Sequence, residues 1–413
     1  MKTQLISLTV AIIFVCSSAN AQWVQTNAPS GGRVLCFTPA GTNLFAGTEG
    51  GVFLSTNNGT HWTAVNSGLP TTGIVSLAVN GTNLFAGTFS GGVFFSTNSG
   101  SSWIALSAGW TIPVNAIVVS GQYLFAGTTG GVVLSTDNGI DWTAVNTGLT
   151  STDVWTLTVV GTNLFAGTSG GVFVSTNSGS SWTALSPGWT TPVRALAAFG
   201  TNLFVGTSYV TGGGFYRSTD NGASWSMLGE GPTAGHAISS LALAGTNLFA
   251  GLPAYGRNPN NGRGVYQSTD SGATWAAANT GLADKDVTAL VVSGTNLFAG
   301  TSGTGVWMRP LSEMVTSVDI TSGESPREHS LLQNYPNPFN PSTTIRYGLP
   351  NPSHVTLTVF NSLGQQVAQL VNGEMEAGYH EVKFDASGLS SAIYFYRLRA
   401  GDFVETKRLM LLR

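Results

Sequence analysis

Six times the chain writes Ser-Thr-Asn/Asp-x-Gly-x-x-Trp, beginning at Ser55, Ser96, Ser135, Ser175, Ser218 and Ser268. The third position holds Asn57, Asn98, Asp137, Asn177, Asp220 and Asp270. Carboxylates repeated in register invite a reading as general acids, nucleophiles or calcium ligands. Three of the six are amides, which cannot serve as general acids. Asn and Asp share a different ability: either oxygen accepts backbone N–H bonds from its own turn. The glycine two residues on permits a positive φ. Trp62, Trp103, Trp142, Trp182, Trp225 and Trp275 close the motif with large apolar surfaces suited to packing between layers. The box therefore reads as structural, and neither a catalytic residue nor a metal ligand is assigned to it.

Other chemistry is hard to find. No Ser-His-Asp arrangement, phosphate-binding loop or HExxH motif is visible. Two-carboxylate glycoside hydrolysis needs acids facing each other across the scissile bond. Outside the boxes the acids on the relevant loops are Glu49, Asp153, Glu230, Asp284 and Asp286, and nothing in their spacing selects a pair. His61 and His236 read as surface residues. Cys36, the one cysteine downstream of the N-terminal apolar run, reads as a small core residue. No cofactor is implied.

The boxes sit in a longer repeat. GTNLFAGT or a close variant starts at Gly41, Gly81, Gly121, Gly161, Gly200, Gly245 and Gly294, at intervals of 39 to 49 residues. Seven copies near that period, rich in β-branched residues and turns, predict seven four-stranded blades of an all-β propeller. In one repeat, strands are expected at IVSLAV, NLFAGT, VFFSTN and WIAL, running from Ile74. Only six boxes precede a fourth strand. The segment Trp23–Asn27 resembles the residues after a box, so it should supply the seventh blade's missing strand against Gly305–Arg309 and latch the ring. Otherwise an open edge would leave backbone groups unpaired.

Near-identical repeats make their differences informative. Six residues before each repeat glycine stand Leu35, Val75, Asn115, Trp155, Arg194, Ser239 and Thr288. The preceding position is uniformly Val or Ile and reads as core. A varied column at the top of the innermost strands is a candidate binding surface over the central channel, and the alternative is drift in a solvent-filled channel. Asn115, Trp155 and Arg194 are the candidates there; Trp with Arg can stack on a sugar or grip a carboxylate. Two long loops, Ser208–Gly214 and Leu252–Gly264, add Tyr255, Arg257 and Arg263. Trp110 and Trp189 in matching entry loops are expected to cap the layer between blades.

The boxes resemble the Asp-box (BNR) repeat of sialidases, xyloglucanases and related propellers over residues 22–311. That resemblance implies fold more firmly than activity. The sialidase RIP motif is absent, no arginine trio declares itself, and the blade count here is seven, so sialidase sites do not carry over. Residues 312–330 read as a polar linker. From Leu331 the chain resembles the type A sorting domain of the type IX secretion system. The resemblance rests on Asn334 to Pro341 (NYPNPFNP), the Asn361 to Gln365 turn, Leu389 to Tyr396 and the Lys407 to Arg413 end. It implies a small immunoglobulin-like β-sandwich, export across the outer membrane and surface attachment, with the secretion machinery as partner. A plain adhesion module is the alternative.

Composition agrees with this reading. Only 8% of residues are charged, net charge is −3, and no basic stripe suggests nucleic acid. Residues 1–21 read as a signal peptide, with Lys2, an apolar run and Ala19-Asn20-Ala21. A lipoprotein anchored at Cys16 is the alternative there. No further segment reads as membrane-spanning. The expectation is a monomeric, exported surface protein whose propeller binds a glycan or a surface protein. A secreted glycoside hydrolase of the Asp-box type is the alternative.

Overall fold

The computed structural model describes residues 22–27, 32–106, 109–186, 189–199, 201–208, 214–228, 236–245, 247–254, 262–314, 329–332, 334, 337 and 339–411. The predicted signal peptide and most of the predicted linker lie outside them. The chain divides into two compact units at Met314/Val315.

The first unit is a seven-bladed propeller. Each blade is a four-stranded antiparallel sheet. In the third, Val114–Ser120 pairs with Tyr123–Thr128, then Gly131–Ser135, then Thr143–Ala144. The fourth strands hold two residues each, as at Ile104–Ala105, shorter than the four-residue strand expected from WIAL. A short outer strand leaves little unpaired edge for another chain to extend.

The repeat phrase fixes how blades meet. The second glycine of GTNLFAGT lies next to last in the second strand, facing the first strand of the next blade. A Cβ added at Gly47, Gly87, Gly127, Gly167, Gly206, Gly251 or Gly300 would come within 2.5–2.8 Å of Ile74, Val114, Val154, Val193, Ile238, Val287 or Val34 respectively. Those seven β-branched residues are the uniform column of the sequence, and each is fully buried. Small against branched, repeated around the ring, is the interdigitation a dense core requires.

The latch is present. Val24–Gln25 is the outer strand of the seventh blade, with Val24 opposite Met308 and Gln25 opposite Trp307. Trp23, 2% exposed, stands where the seventh box tryptophan would be. Its N–H donates to the Thr280 carbonyl and its Nε1 to that of Ala278. Trp103 makes the same two bonds to Ser67 and Val65, and Trp182 to Thr147 and Val145. On the other side, Asn27 N–H bonds Thr60 of the first blade, and Trp62 Nε1 reaches Thr26 Oγ1. Six residues thus touch three blades.

The second unit packs a three-stranded sheet against a four-stranded one. Its core includes Tyr347, Val355, Leu357, Tyr396, Leu398 and Leu409, all fully buried. This is the expected sandwich.

Trp23→Ala removes a buried indole from the closing seam. We expect about 3–5 kcal/mol lost from propeller stability, measured by denaturant unfolding of the full chain. A loss below about 0.5 kcal/mol, the scale of an ordinary surface substitution, would show that the seam does not hold the ring.

Candidate functional site

The varied column is a column of bulges. In six blades the ladder between the first two strands slips at this point, between Val34 and Cys36, Ile74 and Ser76, Val114 and Ala116, Val154 and Thr156, Val193 and Ala195, and Val287 and Ala289. The extra residue has no ladder partner, so its side chain is free to be aimed away from the sheet face. Leu35, Val75, Asn115, Trp155, Arg194 and Ser239 line one cavity of about 880 Å³.

Most of this polar lining is already engaged. Asn115 Nδ2 donates to the Val154 carbonyl of the next blade at 2.9 Å. Ser239 Oγ donates to Val287 O at 2.8 Å, and Thr288 Oγ1 to Val34 O. In the first two blades the neighbouring position does the same work: Cys36 Sγ reaches Ile74 O and Ser76 Oγ reaches Val114 O. Burial pushes the Cys36 thiol up to about 12, so it stays protonated. These side chains stitch each blade to its successor.

Trp155 and Arg194 break that pattern. The Arg194 guanidinium carbon lies 3.4 Å from the centre of the Trp155 ring. The indole is held at its edge: Trp155 Nε1 donates to Ser169 Oγ at 3.0 Å, and Ser169 Oγ donates to Asp153 Oδ2 at 2.6 Å. Among the described residues Arg194 has no hydrogen-bond or ion-pair partner, and the buried Asp153 Oδ1 has none either. Desolvation pulls the Arg194 pKa below the usual arginine value, and the charge of Asp153 partly restores it. One face of the indole is covered by the guanidinium. The pair is therefore built as an oriented cation whose N–H groups have no partner among the described residues.

A second column completes the mouth. The residue just after each GTNLFAGT is Glu49, Phe89, Thr129, Ser169, Ser208, Pro253 or Ser302. Glu49 and Phe89 join the cavity wall, as does Arg33. Phe89 is 66% exposed. This column varies as much in sequence as the one six residues before the repeat glycine, and the same comparison of repeats would have found it.

The other candidates fall elsewhere. Tyr255, Arg257 and Glu230 lie outside the described residues. Arg263 is exposed and its backbone, not its guanidinium, is engaged: N–H to Leu252 O, and its carbonyl accepting Asn279 Nδ2. It is not part of the cavity wall. Asp284 Oδ2 accepts from Gly303 and Thr304, and Asp286 Oδ1 from Ala254, so both acids tie loops together. Trp110 packs on Trp142, and Trp189 on Tyr216 and Trp225, as interblade caps.

All six boxes make one set of bonds. The serine Oγ donates to Oδ1 of the Asx at 2.7–3.0 Å. It also accepts the glycine N–H at 2.7–2.9 Å. The Asx Oδ1 accepts the N–H four residues on. Asn and Asp are interchangeable here. Hydrogen bonds from Ser224 draw the Asp220 carboxyl down to about 2. The residue before the glycine, from Asn58 to Ser271, is also left-handed, with φ of 54–60°. Among the described residues no group of three or more His, Cys, Asp or Glu is placed to hold a metal.

In the second unit the Asn334–Pro341 segment meets the chain's last strand. Phe339 N–H donates to Met410 O, Asn337 Oδ1 accepts Met410 N–H, and Asn337 Nδ2 donates to Arg408 O. Tyr396 Oη donates to Leu332 O and accepts Asn334 N–H. Phe403–Leu411 pairs with Ala392–Ala400 along its full length.

Residues 333–412 match the secretion system C-terminal sorting domain. Comparison with curated proteins by sequence gives no match. Solved structures that share the fold include these three. PorZ, a surface component of the type-IX secretion system of Porphyromonas gingivalis, is 14% identical over 94% of this chain and 61% of its own, with a TM-score of 0.53. The extracellular domain of BT4673 from B. thetaiotaomicron is 15% identical over 80% of this chain and 45% of its own, with a TM-score of 0.58. YCF48 from Cyanidioschyzon merolae is 15% identical over 71% of this chain and 100% of its own, with a TM-score of 0.55. The chain thus spans about three fifths of PorZ and under half of the BT4673 domain. Fold and sequence together define a β-propeller carrying a type IX sorting domain. That domain marks the chain for export across the outer membrane, to the cell surface or beyond. No helix among the described residues is long and apolar enough to cross a membrane.

The last strand closes both the second sheet and the Asn334–Pro341 clasp, and a small sandwich has little core to spare. Truncation after Asp402, in a host with a working type IX system, should leave the protein in the periplasm with its propeller folded. Undiminished arrival at the surface, read by protease shaving, would contradict that dependence.

Proposed function

We propose that the propeller is a ligand-binding module displayed at the cell surface, with the sorting domain directing export and attachment. Its ligand, a glycan or a protein, enters the top of the central channel, and Trp155 with Arg194 forms the heart of the site. The observation that carries this reading is the Arg194 guanidinium, stacked on Trp155 and lacking a partner among the described residues. A cation held in place and left unpaired at a cavity mouth is poised for an anion from outside. Binding is favoured over hydrolysis because the nearby acids are committed. Asp153 supports Ser169, Asp284 and Asp286 tie loops, and the box acids hold their own turns. Among the described residues Glu49 is then the one carboxylate of the cavity wall, where two facing acids are needed.

Glycan and peptide arrays probed with the full chain, alongside a panel of chromogenic glycosides, test this. Captured ligand should be lost from Arg194→Ala, which changes an exposed residue and leaves the fold intact. Turnover on the glycoside panel would overturn the binding assignment in favour of an Asp-box hydrolase. Capture undiminished in Arg194→Ala would remove the channel mouth as the site.

A further inference from the structure

The wall of the channel mouth discriminates between ligand classes. A glycan presents many hydroxyls, and each buried one needs a partner or costs free energy. Four of the wall's polar groups are occupied by the protein itself. Asn115, Ser76 and Ser239 all donate across to the next blade, and Trp155 Nε1 is bonded to Ser169. The usual aromatic platform for a sugar ring is also compromised, since Arg194 covers one face of Trp155. Much of what remains open is apolar: Leu35, Val75 and Pro253 in the wall, with Phe89 exposed at its rim. The charged wall residues are two arginines, Arg33 and Arg194, against Glu49.

We infer that the mouth captures the carboxyl end of a polypeptide, with the terminal carboxylate on Arg194 and an apolar last side chain against Leu35, Val75 and Phe89. This rests on the reading of the channel mouth as a ligand site and names its ligand class. A carboxylate matches the guanidinium fork in shape and charge, accepting two parallel N–H bonds. One such group satisfies the Arg194 fork, which has no partner among the described residues. An apolar neighbour then covers surface that now faces water. Stacking on Trp155 restricts the fork to its plane, so little side-chain freedom is lost on binding. The charge of Asp153 partly offsets the desolvation of the Arg194 guanidinium.

N-acetylated tripeptides ending in leucine or phenylalanine, free at the carboxyl end or amidated, separate the elements of this account when titrated against the full chain by calorimetry. The free acids should bind about ten- to a hundredfold more tightly than the amides, the scale of one charge-assisted contact. Arg194→Gln should abolish that preference. Arg194→Lys should restore only part, since an ammonium lacks the fork. Equal binding of acid and amide, or a preference that survives in Arg194→Gln, would overturn the inference. An oligohexuronate is the second arm. Arg194-dependent binding of that glycan without the peptides would overturn the peptide assignment and leave the ligand site standing. If neither arm binds, the inference fails. The wider reading fails with it only if the arrays also show no Arg194-dependent capture.

Discussion

The propeller depends on one packing constraint, which is that seven glycines meet seven β-branched residues. At each seam between blades the second-strand glycine leaves no room for a Cβ, and the Val or Ile of the next blade fills the space. Overpacking here would propagate, because a ring has no free end toward which a displaced blade can move. Closure follows the same logic. The seam between the seventh blade and the first uses Gly300 and Val34, and the outer edge is sealed by Val24–Gln25 with Trp23 beneath.

That constraint divides each inner strand into frame and variable positions. The uniform residue is held by the glycine opposite. The bulge residue that follows has no ladder partner and is released from the sheet face. Evolution of near-identical repeats can then use it in two ways. Asn115, Ser239 and Thr288 spend their polar groups on the next blade's carbonyl. Trp155 and Arg194 do not, and stand together because their blades are adjacent. Its position on Trp155 orients the Arg194 cation without consuming its donors.

Much of this was legible in the sequence because the repeats carry it. The phrase GTNLFAGT gave blade number and phase. The count of six boxes against seven phrases located Trp23 as the missing tryptophan. The dense motifs after Leu331 marked the sorting domain. Two things were not legible. Comparing repeats showed that position 115 varies, not that Asn115 faces a neighbouring carbonyl, since that contact joins different blades. Spacing put Trp155 near Arg194 without revealing that the guanidinium covers the ring, which turns a sugar platform into an anion grip. The column from Glu49 to Ser302 is itself legible, since it varies between repeats as much as the inner-strand column does.

The central claim is that Arg194 is held face-on to Trp155 with its N–H groups free. Side-chain NMR of the ¹⁵N-arginine-labelled protein measures this directly. The account predicts an Arg194 Nε–H resonance shifted upfield by the indole ring current, returning to the ordinary arginine position in Trp155→Leu. An Arg194 resonance at the ordinary position in both proteins would contradict it.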